Sequence, residues 1–117
     1  MFATIEWRFF IDTVSKEKVQ KIIADLSNEI GAITIISLEH YWKDKSKYDL
    51  TCSTPLQIEQ PEDAVFQVLL LAGQLGIEIA VMGPRIVEAN QVEFEGICST
   101  PKMRGIYWVH LEINNFS

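Results

Sequence analysis

The sequence predicts a single α+β domain, in which an antiparallel, twisted sheet carries two helices on one of its faces. Several short segments alternate apolar and polar residues, which is typical of half-buried strands. Two other segments repeat apolar residues at helical spacing. Residues 1–117 are enough for one domain with its own core, and we expect no further division into domains.

The first half of the chain predicts one helix among three strands. Residues 3–11 alternate cleanly and form a strand with one solvated face. The helix that follows is capped by Ser15 and ended by Gly31. Residues 32–38 are continuously apolar and rich in β-branched side chains, so we expect a strand buried on both faces. The next strand should bend, or lie at an edge, at Pro55, because proline cannot donate to a ladder.

The second half predicts a helix of unusual composition. It begins at Pro61, ends at Gly76, and is apolar on nearly all sides. Such a helix needs cover on more than one side, and we expect deep burial; an interface with a partner or a second copy is the alternative. The strand predicted after it covers residues 77–81, is interrupted at 82–85 and can resume at 86–87. Further strands are predicted at 92–98 and 106–113, and residues 114–117 should form a frayed tail.

One tetrapeptide occurs twice. Cys52-Ser53-Thr54-Pro55 returns as residues 98–101, and the same offset aligns apolar positions of the two helices. The match predicts a duplicated β-α-β-β unit, residues 1–58 and 59–117; the alternative is that two similar turns converged on the same residues. The order β-α-β-β-α-β-β, with short extra strands as an alternative, resembles the ferredoxin-like plan extended by a C-terminal strand. That plan hosts many functions and implies none of them.

Composition and charge exclude several classes of protein. The net charge is −6, with −1 in residues 1–58 and −5 in residues 59–117, whereas nucleic-acid binders carry a basic surface. No run of about eighteen apolar residues is present, so we expect no membrane span. The first residues do not resemble a secretory signal, and there are only two cysteines, so we expect a cytoplasmic protein.

The sequence offers no recognisable catalytic or metal-binding motif. Cys52 and Cys98 lack the spacing of a zinc site and fall on apolar strand faces, so we expect buried thiols, with a disulfide between them as the alternative. No nucleophile elbow and no phosphate-binding loop are present. We therefore expect neither a metal, nor a cofactor, nor an enzymatic activity, although an enzyme with a dispersed site is a third possibility.

What remains is a surface for binding. If three of the strands are neighbours, their outward residues combine carboxylates with aromatic rings, as protein-binding patches do. We expect a small acidic inhibitor or immunity-type protein that blocks a basic partner such as a toxin nuclease. The alternative is a ligand-binding or regulatory module with a cleft between the two β-α-β-β units. The residues expected to bind the partner are Glu88, Glu93, Glu95, Trp108, His110 and Glu112.

Overall fold

The computed structural model describes residues 1–76 and 78–116. These residues form six strands and two helices in the order β-α-β-β-α-β-β-β. The elements are β1 (Phe2–Ile11), α1 (Lys16–Ile30), β2 (Thr34–His40), β3 (Tyr48–Ile58), α2 (Pro61–Leu75), β4 (Ala80–Glu88), β5 (Gln91–Cys98) and β6 (Ile106–Asn114). The predicted start of β4 at Ile77 and the end of the predicted frayed tail at Ser117 lie outside the described residues.

All six strands belong to one sheet, in the order β2-β3-β1-β6-β5-β4, and the paired strands are antiparallel. The predicted α+β class is therefore confirmed. The first half of the chain supplies β2-β3-β1 and the second supplies β4-β5-β6, so the two halves meet at the β1–β6 pair. The first half runs β-α-β-β, whereas the second runs α-β-β-β and places its last strand at the centre of the sheet.

The core forms between one face of the sheet and the two helices. In β1, Ile5, Trp7 and Phe9 are fully buried, while the residues between them point to the opposite, open face. Helix α1 begins as predicted, because the hydroxyl of Ser15 accepts a hydrogen bond from the Lys18 amide. It buries one apolar stripe (Val19, Ile23, Leu26 and Ile30), and both helices contribute to the same core.

Helix α2 is less buried than the sequence predicts. Its inner face packs small residues, Ala64 and Ala72, together with Val68 and Leu75 against the sheet. Its outer face is left uncovered, and Phe66 and Leu70 are 63% and 50% exposed. The prediction of deep burial fails because the domain has only two layers, so nothing among the described residues lies over the outer side of α2.

The prediction that residues 32–38 form a strand buried on both faces is also wrong. Residues 34–38 belong to β2, an edge strand in which Ile35 and Ile36 are 46% and 58% exposed. At the other edge, every residue of β4 is exposed. A continuous apolar run is typical of a central strand. Burial depends on where the strand lies in the sheet, and in the described part of the chain each edge strand has a neighbouring strand on one side only.

Pro55 lies within β3, where it faces Thr4 of β1. The pairing of β2 with β3 ends at Thr34 and Ser53, so beyond that point β1 alone borders β3. On the β2 side, therefore, no ladder hydrogen bond is lost at Pro55, which agrees with the predicted edge position.

Cys52 and Cys98 are both free and buried. Their strands, β3 and β5, are separated by β1 and β6. Three strand spacings amount to about 14 Å, whereas a disulfide requires α-carbons within about 7 Å. The alternative of a disulfide is therefore excluded. Neither helix, within the residues described, is long and apolar enough to cross a membrane.

Candidate functional site

The open face of the sheet gathers the polar outward residues of β1, β6 and β5, which are neighbours. Across β1 and β6, Glu6 faces Glu112, and Arg8 faces His110. Across β5 and β6, Glu95 faces Glu112. The side chains of directly opposite residues project from the same face of the sheet, so the register itself brings these groups together.

Glu112 lies at the centre of a row of carboxylates, between Glu6 on one side and Glu95 on the other. Partial burial raises the pKa of Glu112, and the negative charge of Glu6 raises it further. Like charges that face each other directly destabilise a sheet. The fold therefore maintains a concentration of negative charge that its own stability does not require.

The cations nearest to this row have partners of their own. The Arg8 guanidinium donates to both carboxylate oxygens of Asp49, at 3.1 and 2.8 Å, and this bond raises the pKa of Arg8. Arg85 pairs with Glu93. Among residues 1–76 and 78–116, Glu6 and Glu112 make no ion pair within 4 Å.

A concavity of about 660 Å³ opens beside the carboxylate row. Its wall is formed by a bend of β4 between Met82 and Arg85, where the pairing with β5 shifts register. The bend needs a glycine, because Gly83 has a φ of +96° and an added β-carbon would lie 2.9 Å from the Arg85 amide nitrogen. The acidic residues that line the concavity are Glu93, Glu95 and Glu112.

Aromatic side chains form a second row next to the acidic one. The Phe10 ring stacks on Tyr41 at 4.4 Å and on Trp108 at 4.8 Å between centroids. The Trp108 ring in turn lies 6.1 Å from His110, nearly parallel to it. The row thus continues into the acidic cluster through His110, and Trp108 is half-buried within it. Rigid, partly exposed rings beside charges suit a contact with another molecule.

His110 links the aromatic row to the carboxylates. Its Nε2 lies 3.2 Å from Oε2 of Glu95. One donor atom from each of Glu95, His110 and Glu112 falls within 4.8 Å of the other two. Such a group can hold a cation, or can accept hydrogen bonds from the ammonium or guanidinium of a partner.

The structure brings together five of the six residues that the sequence predicts for binding. Glu93, Glu95, Trp108, His110 and Glu112 share the open face. Glu88 is the last residue of β4, opposite Gln91, and does not line the concavity. The residues predicted for binding did not include Phe10. Alternation alone placed Phe10 outward, but its stacking on Trp108 depends on β1 and β6 being neighbours.

The helix face carries an apolar groove of about 620 Å³. It runs between α2 and the β4–β5 hairpin, and thus lies within the second half of the chain rather than between the two halves. Its lining residues are almost all apolar: Pro61, Glu62, Val65, Phe66, Leu69, Pro84, Ile86 and Val92.

No protein-family model matches the chain, and neither the curated proteins nor the solved structures give a significant match.

Proposed function

We propose that the protein is a non-catalytic binding module that captures a basic protein on the open face of its sheet. The observation that carries the proposal is the carboxylate row Glu6–Glu112–Glu95, in which the central residue has neighbouring negative charges and no ion-pair partner among the described residues. A basic partner would relieve the repulsion between these carboxylates, and this relief would contribute to the free energy of binding.

The shape of the face supports the same function. The concavity beside the row can admit a lysine or arginine side chain, and Glu95 and Glu112 supply acceptors along its wall. Trp108, stacked on Phe10, offers a preformed aromatic contact on the same face of the sheet. An inhibitor or immunity-type protein that occupies the basic cleft of a nuclease toxin requires such a surface. The two free thiols suit the cytoplasmic location expected from the sequence.

The test measures capture of basic nuclease domains by surface-immobilised protein, with inhibition of nuclease activity as a second readout. EDTA is present in the capture assay. We expect rapid association that slows steeply as ionic strength rises from ~50 to ~300 mM. The double variant Glu6→Gln/Glu93→Gln should lower the association rate constant about threefold to tenfold at low salt, because two carboxylates of the face lose their charge.

The matched control is Asp25→Asn/Glu29→Gln, which changes the net charge equally on the exposed side of α1. This control should leave capture unchanged. Equal effects of the two double variants would show that net charge alone acts, and would overturn the proposed role of the open face.

We further propose that the outer face of α2 binds a second copy of the chain. Between residues 64 and 76 there is no charged residue, so a second copy brings no like charge into the centre of the contact although each chain carries −6. The exposed Phe66 ring and the aliphatic side chains of this face, with the apolar groove beside them, form one continuous surface.

A further inference from the structure

The group formed by Glu95, His110 and Glu112 has the donor set of a metal site. Glu95 and Glu112 are directly opposite on β5 and β6, and His110 precedes Glu112 by two residues on the same face. All three side chains are half-buried, and one ligand atom from each lies within 4.8 Å of the others. The backbone register therefore sets the spacing of the three donors, without contribution from a flexible loop.

We propose that Glu95, His110 and Glu112 bind one divalent transition-metal ion, with Zn²⁺ as the representative. This inference goes beyond the proposed capture of a basic partner and does not depend on it. The three ligands would occupy one side of the ion, and the concavity lined by Glu95 and Glu112 leaves its other side open to water or to an external ligand.

The distances fit with little movement. Zn²⁺ lies about 2.0–2.1 Å from its ligands, so neighbouring donors in a tetrahedral site are about 3.3 Å apart. His110 Nε2 and Glu95 Oε2 are 3.2 Å apart, which matches this spacing. The Glu112 donor lies within 4.8 Å of the other two, and its half-buried side chain lines the open concavity, so this side chain has to move closer to complete the set.

The orientation of His110 is fixed by its neighbours. The nearly parallel Trp108 ring packs 6.1 Å away, and the imidazole points Nε2 toward Glu95. Defined ring orientation lowers the cost of ligation, since the imidazole does not have to be ordered when the ion binds. The other histidine, His40, stacks on Tyr48 instead and lies on the edge strand β2.

The charges and the ligand types select the class of ion. Glu6 faces Glu112 and Glu93 lies two residues before Glu95, so the surroundings favour a cation. The imidazole favours Zn²⁺ and other late first-row ions over Mg²⁺ and Ca²⁺, which prefer sites made of oxygen alone.

Isothermal titration calorimetry with Zn²⁺, and separately with Mg²⁺, tests the proposal on the metal-free full chain. We expect one Zn²⁺ per chain with a micromolar dissociation constant and no measurable binding of Mg²⁺. His110→Gln, Glu95→Gln and Glu112→Gln should each weaken Zn²⁺ binding at least about tenfold. The matched control, His40→Gln, keeps the three ligands and the charges around them and should bind Zn²⁺ with nearly the wild-type affinity.

Nuclear magnetic resonance of the histidine rings gives a readout that needs no variant. Addition of Zn²⁺ should shift Nε2 of His110 and leave the nitrogens of His40 unmoved. The proposal is overturned if wild-type protein binds no Zn²⁺ at millimolar concentration, if His40 shifts in place of His110, or if the three ligand variants retain wild-type affinity. Partner capture is measured in EDTA and with variants of Glu6 and Glu93, which are not metal ligands. The proposed metal site and the proposed capture of a basic partner can therefore fail independently of each other.

Discussion

Trp7 Nε1 donates a hydrogen bond of 2.9 Å to Thr54 Oγ1, between two fully buried side chains 47 residues apart. The bond joins β1 to β3 inside the core and satisfies the only polar atom of the indole. Thr54 belongs to the first copy of the tetrapeptide, whereas Thr100, its counterpart in the second, is exposed. Identical residues therefore have different roles in the two halves.

Thr54→Val should lower the free energy of unfolding by about 1–3 kcal/mol, because the buried indole N–H loses its acceptor while the shape of the side chain is kept. Urea unfolding followed by tryptophan fluorescence measures the change. Thr54→Ser keeps the hydroxyl and should restore the hydrogen bond, although it removes a methyl group. Thr51→Val, on the open face of the same strand, serves as the control and should change stability little. An unaltered midpoint for Thr54→Val would show that the bond contributes nothing.

Tyr48→Phe should leave the protein as stable as before or raise the free energy of unfolding by up to about 1 kcal/mol. The Tyr48 hydroxyl is buried and has no hydrogen-bond partner in the described part of the chain, so its removal avoids the cost of desolvation. Thermal unfolding compares the variant with wild type, and Tyr107→Phe, at a side chain that is 57% exposed, is the control. A clear loss of stability in Tyr48→Phe would mean that the hydroxyl is bonded in solution.

Burial raises the pKa of the Cys52 thiol from 9.0 to about 12. The neutral thiol is favoured in the folded state, so this contribution to stability is complete below pH 9 and is lost as the pH rises toward 12. We expect the free energy of unfolding to fall over this range, and Cys52→Ala should reduce the slope. In wild type at pH 8.5, iodoacetamide should modify Cys52 only after urea unfolds the protein; rapid labelling of the folded chain would contradict the prediction.

The sequence predicts best what depends on local periodicity. Alternation alone placed Glu93, Glu95, Trp108, His110 and Glu112 on outward positions, and the structure puts them on one open face. The capping of α1 by Ser15 likewise depends on residues close in the chain. Such features follow from the two-residue and 3.6-residue periods of strands and helices, which each segment carries by itself.

The failures concern relationships between distant segments. Residues 32–38 have the composition of a central strand, but only the order of strands in the sheet makes them an edge. The apolar outer side of α2 predicts that other residues cover it, and nothing in its sequence indicates that the described part of the chain supplies no such cover. The candidate metal group has no sequence motif, because Glu95 and His110 are distant in the chain and are brought together by the register of β5 and β6.

The self-association proposed for α2 predicts that the wild-type protein is a dimer at micromolar concentrations in sedimentation velocity. Phe66→Glu/Leu70→Glu should convert it to a monomer, because a two-fold contact would place the new carboxylates of both copies close together. Both side chains are at least half exposed, so the free energy of unfolding of the monomer should change by no more than about 0.5 kcal/mol per substitution. Val14→Glu alters another exposed apolar residue, away from α2, and should leave the dimer intact. A monomeric wild type, or a dimer that survives the double substitution, would show that this face binds no second copy.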